Sequence, residues 1–407
     1  PIELLMVEFN PLSPEFKADP YPFYDALRAA TPLFHWEPRN IWFATDHATC
    51  VALLTSDDLG HELDRGEARD QPGGAEPALR RPPLLAMRSR FFLLRDPPAH
   101  TRLRGLVQEA FSPRMVDRLR PRIQSAADQL IAMAEAAGEM DVVEDLAAPL
   151  PVMVIADMLG VPESDRHHVR RWSRDLADTL ELTDSPDVRD RGNAATVEFS
   201  AYLRDLARAR RRQPREDLMS ALVHAGDRGD VLTEEDLIPT CILLLVAGHE
   251  TSTNFIGNGV LALLRHPDQL EALKARPELG RSAVEELLRY DSPVQTTFRT
   301  VLRETEFDGR RLRRGASVAF MLGSANRDPA IFDAPHALDI TRDPNPHLSF
   351  SYGIHYCLGA PLARLEGQIA IQTLLRRAPR LTLLDDAPRF HDTWASRGLV
   401  SLPVRLG

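Results

Sequence analysis

The residue with most chemistry to offer is Cys357, in the run Phe350-Ser351-Tyr352-Gly353-Ile354-His355-Tyr356-Cys357-Leu358-Gly359. The following Ala360-Pro361-Leu362-Ala363-Arg364-Leu365-Glu366 reads as a helix, with Pro361 tolerated in its first turn. A cysteine just ahead of a helix N-terminus meets the positive end of the dipole, which favours the thiolate. Such a thiolate suits iron or an electrophile. Gly353 reads as a tight turn where a side chain would strike something flat, and Gly359 lets the next helix begin close to the same object. Phe350 could shield the sulfur, and His355 could offer a cation or a hydrogen bond. The competing reading is a buried structural cysteine, the commoner fate of a lone free thiol.

Three other groupings carry chemistry. Ala247-Gly248-His249-Glu250-Thr251-Ser252 lies inside an apolar helical stretch, where an acid and a hydroxyl are expensive without a purpose. Taken singly, Gly and Thr there would mean close helix packing. His100 and Arg104 stand four apart on one helical face, either as two donors for an anion or as a solvated basic face. Glu286 and Arg289 are three apart, the spacing of an ordinary surface ion pair worth under about 1 kcal/mol.

The pattern Phe-x-x-Gly-x-His-x-Cys-x-Gly at 350–359 resembles the haem-binding loop of the cytochrome P450 family, soluble bacterial class, with the macrolide- and polyketide-tailoring members nearest. At least five motifs stand in family order across nearly the whole chain. The resemblance implies a mainly α fold with small β-sheets, a triangular helical prism with haem b between a long central helix and the Cys-loop helix. Cys357 would be the axial thiolate, which pushes electron density onto iron and favours O–O cleavage. His100, Arg104 and Arg299 would reach the haem propionates, since Arg binds carboxylates bidentately. Ala247, Phe350, Gly353, His355 and Gly359 complete the implied cofactor contacts. In the 247–251 segment the family's helix opens at the glycine, Thr251 orients a proton-delivering water and Glu250 relays protons from solvent. Glu replaces the commoner Asp, and Ser252 the commoner second Thr, without disturbing that role. Glu286 and Arg289 become a buried structural pair completed by Arg342.

The elements that must position these residues read mostly as helices. Tyr21–Ala30, 46–54, Arg114–Ala137, 144–159, 163–180, 189–212, 233–265 and 358–377 show helical periodicity or caps, and Asp46 is the cap of the second. Residues 33–36 and 41–44 read as hairpin strands around Glu37-Pro38-Arg39-Asn40, and 294–302 and 305–322 as further strands. The 233–265 helix is apolar nearly all round in its middle and should run through the core, with Pro239 distorting its start. Residues 59–96 read as a long loop, which the resemblance makes a substrate lid. The Arg208, Arg210, Arg211 and Arg212 cluster reads as a solvated helix end, and His167 and His168 as surface residues.

Composition narrows the function. With no linker or repeat, one domain over 1–407 is the simplest organisation. A net charge of −10 argues against nucleic-acid binding. Three widely spaced cysteines make neither a disulfide framework nor a zinc site, as expected of a reducing, cytoplasmic setting. No signal peptide or membrane anchor is legible. The resemblance implies a monooxygenase that hydroxylates a lipophilic small molecule with O2, and electrons from a separate ferredoxin and NAD(P)H-dependent ferredoxin reductase. Arg102 and Arg104 are candidates for docking that partner. A macrolide or polyketide is the leading substrate class, with steroid or fatty acid as alternatives, and a monomer is expected. Candidate substrate-lining residues are Leu84, Leu85, Met87, Phe91, Phe92, Leu180, Leu244, Ala247, Val294, Gln295, Thr296 and Trp394, each of which could equally be plain core. Two rivals are a haem-thiolate peroxygenase and a non-catalytic haem-binding sensor.

Overall fold

The computed structural model describes residues 9–62, 82–111, 113–180, 185–224 and 232–407. In chain order the elements begin with α1 (Pro14–Ala18), α2 (Tyr21–Ala30), β1 (Leu33–Trp36), β2 (Ile41–Ala44), α3 (His47–Leu54) and β3 (Leu59–Gly60). Next come α4 (Pro83–Arg88), α5 (Ala99–Ala110), α6 (Pro113–Glu135), β4 (Glu139–Asp141), α7 (Pro149–Leu159), α8 (Arg166–Ala177), α9 (Pro186–Arg212) and α10 (Leu218–His224). The long α11 (Glu234–Arg265) precedes α12 (Pro267–Ala275), α13 (Gly280–Tyr290), β5 (Thr296–Val301), β6 (Thr305–Phe307), β7 (Arg310–Leu312), β8 (Ser317–Met321) and α14 (Leu322–Ala325). The chain closes with α15 (Ala360–Arg377), β9 (Thr382–Leu383) and β10 (Pro403–Arg405). The protein is mainly helical with small sheets. Among the described residues no helix is long and apolar enough to cross a membrane.

The described chain forms two compact units: Pro1–Leu59, Arg120–Leu150 and Thr251–Gly407 in one, Gly60–Leu119 and Pro151–Glu250 in the other. In the first, a five-stranded sheet runs β1-β2-β8-β5-β3, parallel between β2 and β8 and antiparallel at β1–β2 and β5–β8. Asn40 takes the left-handed conformation that closes the β1–β2 hairpin, and Asp46 caps α3 by accepting from the Thr49 amide at 2.7 Å. One face of this sheet packs an aromatic cluster in which Phe9 meets Phe16, Phe34 and Phe43 edge to face at 5.4–5.6 Å. Helix α15 buries Leu362, Leu365, Ile369 and Leu374. At Gly367 it crosses the second half of α11 so closely that a Cβ there would strike the Phe255 ring.

In the second unit, the supposed loop at 59–96 carries the helix α4, which begins Pro-Leu-Leu after Pro82 and is too short to show a period. Residues 63–81 of that segment lie outside the described residues. Helix α4 is tied down by Leu84 N–H donating to Asn193 Oδ1 at 3.1 Å and Arg88 donating to the Thr179 carbonyl at 3.0 Å. The arginine cluster ending α9 is not uniformly solvated: Arg210 is buried, paired with Asp217 and donating to the Gly160 carbonyl at 2.6 Å. His167 and His168 are exposed, yet their rings lie 3.9 Å apart and share a side of α8.

Candidate active site

Cys357 sits in a turn ahead of α15, and its amide donates to the Phe350 carbonyl at 2.9 Å, closing the loop on itself. It is the exposed cysteine of the three; Cys50 and Cys241 are buried. Burial pushes the Cys241 thiol up to about 12 and holds Cys50 well above its ordinary value, so neither is a thiolate at neutral pH. Gly353 has φ +74°, and a Cβ would lie 2.8 Å from the Leu54 carbonyl oxygen. The tight turn read from the sequence is present, and both its positive φ and the nearby Leu54 carbonyl favour glycine here. At Gly359 a Cβ would stand an ordinary 3.9 Å from Cys357 Sγ.

The loop is braced from α13 and α15. Arg364 gives Glu285 two hydrogen bonds, 2.6 and 2.8 Å, and its guanidinium lies over the Phe350 ring at 4.5 Å. His347 Nε2 meets Glu285 Oε2 at 3.0 Å. Burial alone would raise the Glu285 pKa, but the hydrogen bonds from His347 and Arg364 win and hold it down at about 2. Phe350 is thus clamped between the loop backbone and a fixed cation. His355 is buried in the turn Gly353–His355, while Tyr352, Ile354 and Tyr356 are exposed.

Behind the loop, Glu286 and Arg289 on α13 are both fully buried and joined by two hydrogen bonds of 2.8 Å. Glu286 also accepts from Arg342 at 3.1 Å, Asn345 at 3.0 Å and the Asp339 amide at 2.9 Å. Arg289 donates to the carbonyls of Asn326, Pro335 and Ala337. One ion pair thereby organises residues 326–345, the meander that leads into the Cys357 loop.

Helix α11 runs without a break from Glu234 to Arg265, through Pro239 and through Gly248, where the resemblance implies an opening. Its middle is buried, except that Ala247 is exposed and Gly248, Glu250 and Thr251 are half-buried. Residues 247, 248 and 251 share one face at helical spacing, so the core helix has an open stripe at its centre. Close packing does not demand Gly248, because a Cβ would meet Ile155 at an ordinary 3.6 Å. His249 is buried, with Nε2 3.3 Å from Glu250 Oε1. Burial, then Arg170 and Arg174, pushes the His249 pKa down to about 3, so its imidazole is neutral.

Of the proposed propionate donors, His100 is buried and Arg104 half-buried on α5, and Arg299 is buried on β5, donating to the Phe298 carbonyl at 2.7 Å. Arg102, a docking candidate, is already paired with Asp236 at 2.9 Å. Among the substrate candidates, Leu84, Met87, Phe91, Phe92 and Leu244 are buried and Leu85 is exposed. Leu180 ends a short turn, and its side chain lies outside the described residues. Gln295 spends its amide on Tyr24 Oη at 3.0 Å and the Ser292 carbonyl at 2.8 Å, and Trp394 packs on Phe298 and Phe43. Thr296 is buried and Val294 half-buried. Sequence reasoning passed over the Glu285–Arg364 brace and Glu366, although Glu366 falls on the face of α15 that carries Leu362, Ile369 and Ala370.

The donor set fits a haem bound through sulfur. The accessible thiol lies at a helix N-terminus, in a loop that presents apolar side chains, and no such setting surrounds the other two cysteines. A cytochrome P450 family model matches residues 74–403. The polyketide biosynthesis cytochrome P450 PksS of Bacillus subtilis is 38% identical, covering 98% of each chain. The vitamin D(3) 25-hydroxylase of Pseudonocardia autotrophica is 40% identical over 96% of this chain and 95% of its own. The crystal structure of P450BioI with an acyl carrier protein bearing hexadec-9Z-enoic acid matches with a TM-score of 0.89 and 40% identity, covering 97% of this chain and all of that one. A single thiol so placed, together with these likenesses over almost the whole chain, makes this protein a member of the cytochrome P450 family, a haem-thiolate monooxygenase.

Proposed function

We propose that this chain hydroxylates a bulky lipophilic small molecule of polyketide type. The observation that carries the reading is the likeness over 98% of both chains to a relative named for polyketide biosynthesis. The apolar side chains of α4 and of the 91–92 turn support it, as does the open stripe on α11.

In this reading Cys357 binds the haem iron, and His100, Arg104 and Arg299 hold its propionates. Phe350, clamped by Arg364, shields the sulfur, while Ala247, Gly353, His355 and Gly359 line the cofactor. The haem supplies activation of O2 for insertion of one oxygen atom into a C–H bond. The chain's own part is proton delivery, because reducing the second oxygen atom to water takes two electrons and two protons. Glu250 is half-buried and within reach of solvent, so it can take up a proton. The Thr251 hydroxyl orients the water that carries it onward. Neutral His249 beside Glu250 limits the directions the carboxylate can take. Electrons come from a separate ferredoxin and its NAD(P)H-dependent reductase, and the enzyme works as a cytoplasmic monomer.

A second reading, a carrier-bound fatty acyl substrate, rests on the acyl carrier protein complex of P450BioI. Optical titration of the ferric enzyme decides between them. A low-to-high-spin shift with free macrolides or polyketides supports the first. A shift only with acyl chains on a carrier protein supports the second and overturns the first.

A further inference from the structure

Outside the proposed haem site, three buried arginines have a carboxylate against them: Arg210 with Asp217, Arg289 with Glu286 and Arg397 with Asp291. Arg327 has none among the described residues. It is 7% exposed, and its guanidinium lies 3.4 Å from the centre of the Tyr21 ring and 4.5 Å from that of Tyr290. Nε and Nη2 both donate to the Tyr290 carbonyl, at 3.1 and 2.6 Å, which caps the end of α13. Nη1 has no partner among the described residues. The rings and the carbonyl hold the guanidinium in place but leave a buried positive charge without a counter-charge, which is costly.

Arg327 forms part of the wall of a groove of about 830 Å³, bordered by α1, α2, the end of α13 and residues 387–392. That volume suits a small molecule. The charges along the groove do not cancel. Asp291 is taken by Arg397 at 2.9 Å and Tyr21 Oη at 2.6 Å. Asp392 pairs with Lys17 at 2.8 Å, and Asp25 with Arg28 at 2.5 Å and His336 at 3.4 Å. Asp19, exposed, accepts from the Tyr21 amide at 3.3 Å. Two further arginines of the groove, Arg265 and Arg389, are exposed and meet no carboxylate among the described residues. Arg265 donates to the Asp386 carbonyl at 3.3 Å. Three guanidiniums therefore line one groove with a single exposed carboxylate to set against them, on a chain whose net charge is −10.

We propose that this groove binds a small polyanion, one carrying a diphosphate or several carboxylates, with one anionic group on Arg327 and the rest toward Arg265 and Arg389. A single carboxylate would match only one of the three arginines. Guanidinium forks suit phosphate and carboxylate oxygens, and a fork already fixed between two rings loses little entropy on binding. Because Arg327 is almost fully buried, a small ligand reaches it more readily than the acidic side chains of a second protein would. The lining shares no residue with the proposed haem and substrate sites, so this is a second site on the molecule. A ligand held there would tie residues 387–392 to the end of α13.

Isothermal titration of the holoenzyme with inorganic pyrophosphate and with citrate tests the proposal. Wild type should bind at least one of them saturably. Arg327→Gln should weaken that binding at least about tenfold, as for loss of a hydrogen bond to a charged group. Arg327 also caps α13, so the exposed double variant Arg265→Gln/Arg389→Gln is the second arm. It should bind about three- to tenfold more weakly with an unchanged melt, as expected for exposed charge pairs. Arg311→Gln removes an exposed arginine that pairs with Glu304 outside the groove, and should leave the affinity unchanged. Tighter binding of pyrophosphate would assign a phosphorylated ligand, and tighter binding of citrate a polycarboxylate. No saturable binding of either, or equal losses in the groove variants and in Arg311→Gln, would overturn the proposal.

Discussion

Replacing Glu286 by Ala should damage the haem loop from a distance. The carboxylate is fully buried and accepts from five donors: two on Arg289 and one each on Arg342, Asn345 and the Asp339 amide. Removing it leaves the Arg289 guanidinium, itself fully buried, with carbonyl partners but no counter-charge. Breaking a buried pair by deleting one partner costs roughly 3–5 kcal/mol. The Asp339 amide and the Asn345 side chain lose an acceptor as well, so the upper end of that range is expected. At roughly 1 °C of melting temperature per kcal/mol for a chain of 407 residues, Glu286→Ala should melt about 4–6 °C below wild type. Because the same groups pin residues 326–345, haem content should fall in parallel. Glu286→Gln, which keeps two acceptor lone pairs and similar volume, should lose less. Thermal melts followed at the Soret band and by far-ultraviolet dichroism check both effects. A Glu286→Ala enzyme that melts within about 1 °C of wild type, a shift worth at most about 1 kcal/mol, would refute the reasoning.

The remaining predictions concern the loop and the proton path. Gly353→Ala places an L residue at φ +74° against the Leu54 carbonyl, so it should cost about 1–2 kcal/mol for the backbone alone and lower haem occupancy, read by pyridine haemochrome assay; full occupancy with an unchanged melt would count against it. Glu285 has a folded pKa depressed from 4.5 to about 2, so its stabilisation is present above pH 4.5 and drains away as pH falls toward 2. Urea midpoints of Glu285→Gln should accordingly lose part of the wild type's acid slope in that window, and parallel pH profiles would dismiss the assignment. Thr251→Ala should divert electrons from product to peroxide when turnover is driven by NADPH. Unimpaired turnover in Thr251→Ala driven by peroxide alone would favour a peroxygenase.

Local chemistry made the frame of the fold legible. The Glu-Pro-Arg-Asn turn and the Asp46 cap are short-range signals, and the hairpin and α3 follow them. Helix α4, with six residues, and α10, with seven, are too short for a hydrophobic period to stand out. Arg210 illustrates what sequence hides: in an arginine-rich helix end it looks solvated, and only Asp217 and the Gly160 carbonyl, brought in by tertiary structure, bury it. The thiol ahead of α15 was legible because a single string carries it. The Ser252–Glu366 contact was not, since it joins residues 114 apart through a helix crossing. Gln295 likewise looked available until its partners on α2 and in the 292–293 turn were in view.

The most direct test of the central claim is the absorption spectrum of the dithionite-reduced holoenzyme under carbon monoxide. Thiolate ligation by Cys357 predicts a strongly red-shifted Soret band in the wild type and its loss in Cys357→His, in which imidazole would replace sulfur. An unshifted band in the wild type, or a red-shifted band that survives in Cys357→His, would contradict the account.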